Sequence, residues 1–494
     1  MTFNQLKPYL EKQAALLHAQ AILSFDRNTL RLKKASGSTA LTLRELNREL
    51  LALKQDPELK TILLECRQDS SLPLTEKRIV EEWLKTIEKE EKVPTEETLK
   101  YRQVVMKCAE VWPQYKQNKD WNGFMPYLQE VISQRKKMAQ LLQKEGQSLY
   151  DVLLDEYLPG FNTETLDHFF DQLKDKIVPL LQKIQEKDNF DDHFMHQYFD
   201  PKDQESYVRN LIERLGFDFE AGDIFESEHP FTTHFNCFDV RFTNKYNTHD
   251  LHSIFSAIHE TGHALYEMGI AEDISRTPIG SGTSTPMHEG QSRFYENMIG
   301  RNPLFWENEF ENLKQVFPKQ FENVSLVDFL KACNKVEANL IRIKADELTY
   351  SLHIILRYEL EKEIINKDID IRLLPTMWNA KVKEFLGLDV FSDTEGILQD
   401  MHWGSGLIGY FPGYSLGSAV AAQLFDTMKK EYGIENLIRN QDYAAIREIL
   451  RNHIHQYGKI YTTDELLMQF CKEPFNPQYY IDYLMEKFSQ LYTI

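Results

Sequence analysis

His259-Glu260-Thr261-Gly262-His263 places two imidazoles four residues apart, with a glutamate directly after the first. On a helix that spacing leaves the two side chains about 40° apart around the axis. Both can then reach one zinc ion, at about 2.0–2.1 Å per bond. Glu260 would project beside the ion, where it can take a proton from a coordinated water and pass it to a leaving amine. The chemistry this arrangement predicts is metal-assisted hydrolysis. The plain alternative, two partly buried helix histidines with no ligand role, is weakened by the neighbourhood of the motif, described next.

The third ligand decides the class of centre. A metzincin needs Gly three and His six residues after the second histidine. Tyr266 and Gly269 stand there, so that class is excluded. The remaining source is a carboxylate from a following helix. The segment TPMHEGQSRFYENM offers Glu289 and, two turns on, Glu296. Zinc accepts either carboxylate, and the other would support a ligand from behind. Between the two segments, PIGSGTSTP can turn the chain back so that the second helix faces the first.

Helical periodicity dominates the elements that must position these residues. Leu166, Phe169, Phe170, Leu173, Ile177, Leu180, Leu181 and Ile184 keep to one stripe at three-and-four spacing, and LTLRELNRELLALKQD and the stretch after Leu6 show the same pattern. The charge-rich EKEEKVPTEE reads as solvated helix ends around a turn at Pro94. Residues 229–247, HPFTTHFNCFDVRFTNKYN, break the pattern with near-alternating aromatic and β-branched residues, which predicts two short strands in a small sheet. Helix resumes with Asp250 as the expected N-cap, an apolar face of Leu251, Ile254, Phe255, Ile258, Leu265 and Tyr266, and a stop at Gly269. The expectation is a mainly α protein with a small β-sheet beside the zinc-binding helix. No Pro-, Gly- or Ser-rich linker divides the chain. It therefore reads as a single peptidase domain over 1–494, with a helical lobe over 1–225 and a catalytic lobe over 226–494 carrying the zinc site.

A formal charge of -19 argues against a phosphate backbone as partner, so nucleic acid is not expected. No apolar run approaches the length of a membrane span, and MTFNQLKPYLEKQ has no secretory pattern. The five widely spaced cysteines do not suggest a disulfide framework or a Cys-x-x-Cys metal site, and they fit a reducing cytoplasm.

With these residues in place, the chain resembles the carboxypeptidase Taq family of metallocarboxypeptidases. The resemblance rests on six motifs in order: HPF at His229–Phe231, Asp-x-Arg-x-Thr at Asp239–Thr243, HETGH at 259–263, HEGQSR at His288–Arg293, Ile-Arg-x-x-Ala-Asp at Ile341–Asp346, and Gly-x-x-Gln-Asp-x-His-Trp at Gly396–Trp403. They lie within residues 229–415; the preceding half is similar in length and pattern only. One departure is Gly290, where the family motif would carry Ser; it leaves the neighbouring carboxylate unchanged. The resemblance favours Glu289 as third ligand. It implies a neurolysin-like helical fold with a deep central groove. It also implies a homodimer that releases single residues from peptide C-termini with broad specificity, poorly at proline.

A carboxypeptidase must recognise a free α-carboxylate, which the planar fork of Arg binds at both oxygens. By its motif Arg342 is the leading candidate, although a helix-face pair with Asp346 is the plain alternative. Arg241 is second and could instead be held by Asp239 on the same strand face; His229 is implied to mark the closed end of the groove. His402 and Tyr410 are the expected donors to the oxyanion of the tetrahedral intermediate, with Tyr414 competing for the role of Tyr410. Asp400 is expected to orient a histidine. Trp403 and Phe411 read as packing. Zinc is the expected metal, with cobalt or manganese as substitutes. Two other readings stand beside this one: an endo-oligopeptidase of related fold with no carboxylate anchor, and a helical scaffold with a vestigial centre. The intact His259, Glu260, His263 and Glu289 set argues against the scaffold.

Overall fold

The computed structural model describes residues 2–29 and 33–494. Twenty α-helices and one three-stranded sheet are assigned among them, and 68% of the protein is helical, which makes it mainly α as the periodicity predicts. None of the described helices is long and apolar enough to cross a membrane. The chain forms two compact units, each assembled from three stretches. The first comprises Met1–Glu88, Asp191–Ala332 and Leu424–Pro474; the second comprises Lys89–Phe190, Cys333–Gln423 and Phe475–Ile494.

The first unit carries the sheet. Strands β1 (Gly222–Glu226), β2 (Thr232–Asn236) and β3 (Asp239–Asn244) are ordered β1-β3-β2, with β3 parallel to β1 and antiparallel to β2. The alternation in 229–247 predicts β2 and β3. It misses β1, whose sequence GDIFE is short, contains strand-poor Gly and Asp, and pairs through a non-local parallel register.

Helix α1 (His252–Gly269) follows and packs on β2 and β3. Asp250 lies one residue farther out than a cap: its Oδ1 accepts the His252 N–H at 3.0 Å while Leu251 takes the N-cap position. All the predicted apolar residues are buried, as are Ala257, Thr261, Gly262 and Ala264, so the helix is covered on most sides and only a narrow polar strip carries His259 and His263.

Helix α2 (Thr285–Arg293) starts at Ser284, whose hydroxyl accepts the Met287 N–H, with Pro286 in the first turn. It runs into a π-helical turn over Phe294–Ile299. Such turns are rare and widen the helix by one residue; this one contains Glu296. The two helices touch backbone to backbone at Gly262. A Cβ there would lie 2.5 Å from the Gln291 carbonyl oxygen and 2.6 Å from Ser292 Cα. Glycine normally weakens a helix interior by about 1 kcal/mol, and here it allows the close approach.

In the second unit the stripe predicted at 166–184 lies on the helix Thr163–Gln185, and its eight apolar residues are all buried. It packs against α3 (Glu347–Asn366), a helix buried on nearly every face. Asp346 caps α3 by accepting the N–H groups of Leu348 and Thr349 at 2.9 and 3.0 Å. A long irregular segment, 387–411, leads into α4 (Pro412–Tyr432).

Because the contact at Gly262 is made by backbone, it cannot relax by a rotamer change. Gly262→Ala is expected to cost about 1–3 kcal/mol of stability, read as a lower Tm, and to reduce the metal content of the purified protein measured by atomic emission.

Candidate metal centre

His259, His263 and Glu289 converge: one donor atom from each lies within 4.8 Å of the others, with the histidines half-buried and the glutamate buried. Glu289 Oε2 is 3.8 Å from His259 Nε2 and 3.4 Å from His263 Nε2. Donors of one tetrahedral ion with bonds of about 2.1 Å stand about 3.4 Å apart, so the spacing of Glu289 from each imidazole suits a shared ion.

Each ligand is held from behind. His259 Nδ1 faces Glu296 Oε2 at 2.9 Å. Arg293 donates to Glu289 Oε1 at 2.8 Å and to Glu296 Oε2 at 3.1 Å, and Arg301 reaches Glu296 Oε1 at 3.2 Å. His263 Nδ1 lies 2.7 Å from His288 Nδ1, whose Nε2 lies 2.7 Å from Glu267 Oε1. A metal needs the lone pair of His263 Nε2. His263 Nδ1 then carries the proton and donates to His288, which in turn donates from Nε2 to Glu267. His234 Nδ1 closes the chain, 3.3 Å from Glu267 Oε2.

Without a metal the electrostatics treat the two imidazoles differently: burial opposes the charged form of His259, but Glu289 and the Glu296 hydrogen bond outweigh it and hold that imidazole above its usual range. Burial opposes ionisation of Glu289, but Arg293 and the two histidines outweigh it and hold the carboxyl well below its usual range. Burial, reinforced by His288, holds His263 down to about 4, neutral and ready to coordinate. Burial would raise Glu267 too, yet His234 and His288 draw it down to about 2. With the histidines neutral, four carboxylates (Glu260, Glu267, Glu289, Glu296) face two guanidiniums (Arg293, Arg301). A divalent cation would offset the remaining two negative charges.

Glu260 is 6% exposed and makes no contribution to the ligand triad. Its Oε2 accepts the Thr232 hydroxyl from β2 at 2.6 Å. Burial lifts its carboxyl above the ordinary range, against His259 and Thr232.

The other predicted residues fall into separate groups. Asp239 and Arg241 pair with each other through two hydrogen bonds of 2.8 Å on β3, and the guanidinium stacks over Phe235. His229 is exposed in the loop before β2. Arg342, in the second unit, does not pair with Asp346, which is committed to capping α3. Segment 342–344 is a short 3-10 turn rather than a helix face. Arg342 instead donates to Asp400 Oδ1 at 3.0 and 3.2 Å and to the Tyr350 hydroxyl at 3.2 Å.

Asp400 also accepts from Arg357 at 2.7 Å. The expectation that Asp400 orients a histidine is therefore corrected: its oxygens are taken by two arginines, and His402 Nδ1 is 3.9 Å away, beyond hydrogen-bond reach. Two buried guanidiniums on one carboxylate leave a net positive cluster. Burial, with Arg342, holds His402 down to about 4. His402 Nε2 lies 3.5 Å from the Tyr414 hydroxyl, and Tyr410 packs edge-on against Tyr157 and Tyr414.

Sequence reasoning misses His288, Glu267, Thr232 and Arg357. Glu267 stands four residues after His263 on the same helix face, and His288 adjoins Glu289, so both had a visible signal. Thr232 and Arg357 had none, because their partners are distant in the chain.

The model of the carboxypeptidase Taq (M32) metallopeptidase family matches residues 5–488. The chain belongs to that family. Carboxypeptidase 1 of Bacillus subtilis (strain 168) is 35% identical over 480 residues, covering 96% of each chain. The crystal structure of the M32 carboxypeptidase from Deinococcus radiodurans R1 superposes with a TM-score of 0.97 at 29% identity, covering 100% of both chains. PZ peptidase A, at 13% identity and a TM-score of 0.57 over 99% of this chain and 97% of that one, shares the fold. This M32 chain is accordingly a metallocarboxypeptidase, a peptide hydrolase, and the metallopeptidase family implies a metal ion that the His259, His263 and Glu289 set fits.

Removing the carboxylate behind one imidazole tests the outer support. Glu296→Gln is expected to weaken metal binding about 10–100-fold, measured by competition with a chelating chromophore, with the helical circular dichroism unchanged.

Proposed function

We propose that this M32 metallocarboxypeptidase holds one zinc ion on His259, His263 and Glu289. In this reading it releases single residues from peptide C-termini with broad specificity, poorly at proline, using Glu260 as general base. The observation that carries the reading is the convergence of the three donor atoms within 4.8 Å beside a buried, separately anchored Glu260. Zinc, or cobalt or manganese in its place, supplies Lewis-acid polarisation of a peptide carbonyl and of water.

The remaining chemistry belongs to side chains. The Thr232 hydroxyl occupies Glu260 Oε2 and leaves Oε1 to take the proton of the attacking water and deliver it to the departing amine. Burial raises the Glu260 carboxyl, which brings its basicity closer to neutral pH and favours both transfers. Arg342 binds the terminal carboxylate of the substrate; the support is that Arg342 and Arg357 together exceed the charge of Asp400. His402, neutral through burial, and Tyr410 donate to the developing oxyanion. His229 and the Asp239–Arg241 pair are assigned to substrate contact on the family resemblance, as is a cytoplasmic homodimer, which sedimentation velocity would test.

Peptides with free and amidated C-termini, followed by mass spectrometry, decide the reading. Free peptides should lose residues one at a time, amidated ones should resist, and a chelator should stop the reaction until zinc is restored. Glu260→Gln should lower kcat by about 10²–10⁴-fold while metal content stays full. Internal cleavage of amidated peptides would replace this reading with an endo-oligopeptidase.

A further inference from the structure

His353, Arg357 and Glu361 recur at a spacing of four along α3, among buried neighbours that are almost all apolar. That spacing sets them in one stripe, and their exposures are 1%, 0% and 0%. A buried charge is costly unless it is partnered. Arg357 has Asp400; Glu361 has three neutral donors. Its Oε1 accepts Trp403 Nε1 at 2.6 Å, and its Oε2 accepts the Gly409 backbone N–H at 2.9 Å and the Tyr150 hydroxyl at 2.7 Å.

Trp403 follows His402 in the chain, and Gly409 precedes Tyr410. One carboxylate therefore fastens both ends of the 402–410 loop. Two further side-chain bonds to this loop are longer: Tyr101 to the Gly406 carbonyl and Arg135 to the Ile408 carbonyl, each at 3.4 Å. Gly409 sits at φ +90°, and a Cβ there would lie 3.0 Å from the Leu153 backbone, so its N–H has little freedom to point elsewhere. A glutamine of the same shape has one acceptor oxygen for three donors. Burial pushes the Glu361 carboxyl up to about 7, an electrostatic penalty tolerated at a site an apolar residue could fill.

We propose that Glu361 is a positioning residue for peptide hydrolysis: by clamping Trp403 and Gly409 it fixes where His402 and Tyr410 present their donors. This rests on the reading of those two residues as donors to the reaction.

The test is steady-state kinetics of the full-length holoenzyme on a peptide with a free C-terminus, with metal content and Tm measured alongside. Glu361→Gln is expected to lower kcat about tenfold or more, with KM within about twofold and metal content full. In a Tyr410→Phe or His402→Ala background the same change should cost much less, because the groups act as a unit. Trp403→Phe, which removes one donor and keeps an aromatic ring, should also lower kcat, and it carries the test if Glu361→Gln does not fold. Wild-type kcat in a folded, metal-loaded Glu361→Gln, or losses that simply multiply in both backgrounds, would overturn the proposal. If Tyr410→Phe and His402→Ala alone keep full kcat, the donor reading falls and this proposal with it. If those two lose rate and Glu361→Gln does not, only this proposal falls.

Discussion

At Gly262 the backbones of α1 and α2 meet with no room for a methyl group. The metal centre follows from that contact. His259 and His263 come from one helix and Glu289 from the other, and a carboxylate reaches two imidazoles only if the helix axes stay close. The charges then have to be managed in a buried setting. Glu289 and Glu296 would repel each other and resist burial, so Arg293 bridges them and Arg301 backs the second. The residual negative charge, once both imidazoles give up their protons to coordinate, makes a site for a cation rather than a self-contained salt-bridge network.

The second unit uses the opposite electrostatic sign. Its core helix α3 carries a polar stripe through an otherwise apolar body, and that stripe grips the irregular 397–411 segment. Arg357 takes Asp400 and Gln399, while Glu361 takes Trp403 and Gly409. The segment's own backbone bonds are local turns, such as Gly406 N–H to the Trp403 carbonyl and Leu407 N–H to the His402 carbonyl, so its attachment to α3 is made by these side chains. The net positive pair of Arg342 and Arg357 around Asp400 belongs to the same construction.

Both units place polar side chains at helix positions where local pattern alone would predict core. His353, Arg357 and Glu361 stand inside a run of Leu, Ile and Tyr. The burial of Arg357 and Glu361 is tolerated because partners arrive from far along the chain. The same holds for Thr232 on Glu260, and for the chain from His263 through His288 and Glu267 to His234.

The sequence by itself determined the helical class, the stripe on Thr163–Gln185, the strands β2 and β3, and the candidate metal-binding pair His259 and His263. These are carried by short-range spacing: the helical period, the strand alternation, and a motif of fixed offsets on one helix face. It left Glu289 and Glu296 open on chemistry alone, since both are carboxylates on the same helix face. Only the tertiary structure assigned β1 to the sheet, paired Arg342 with Asp400 instead of Asp346, withdrew Asp400 from His402, and gave Glu361 its three donors. Each of those depends on contacts between residues tens to hundreds of positions apart, whose geometry is set by how helices pack and not by any local period.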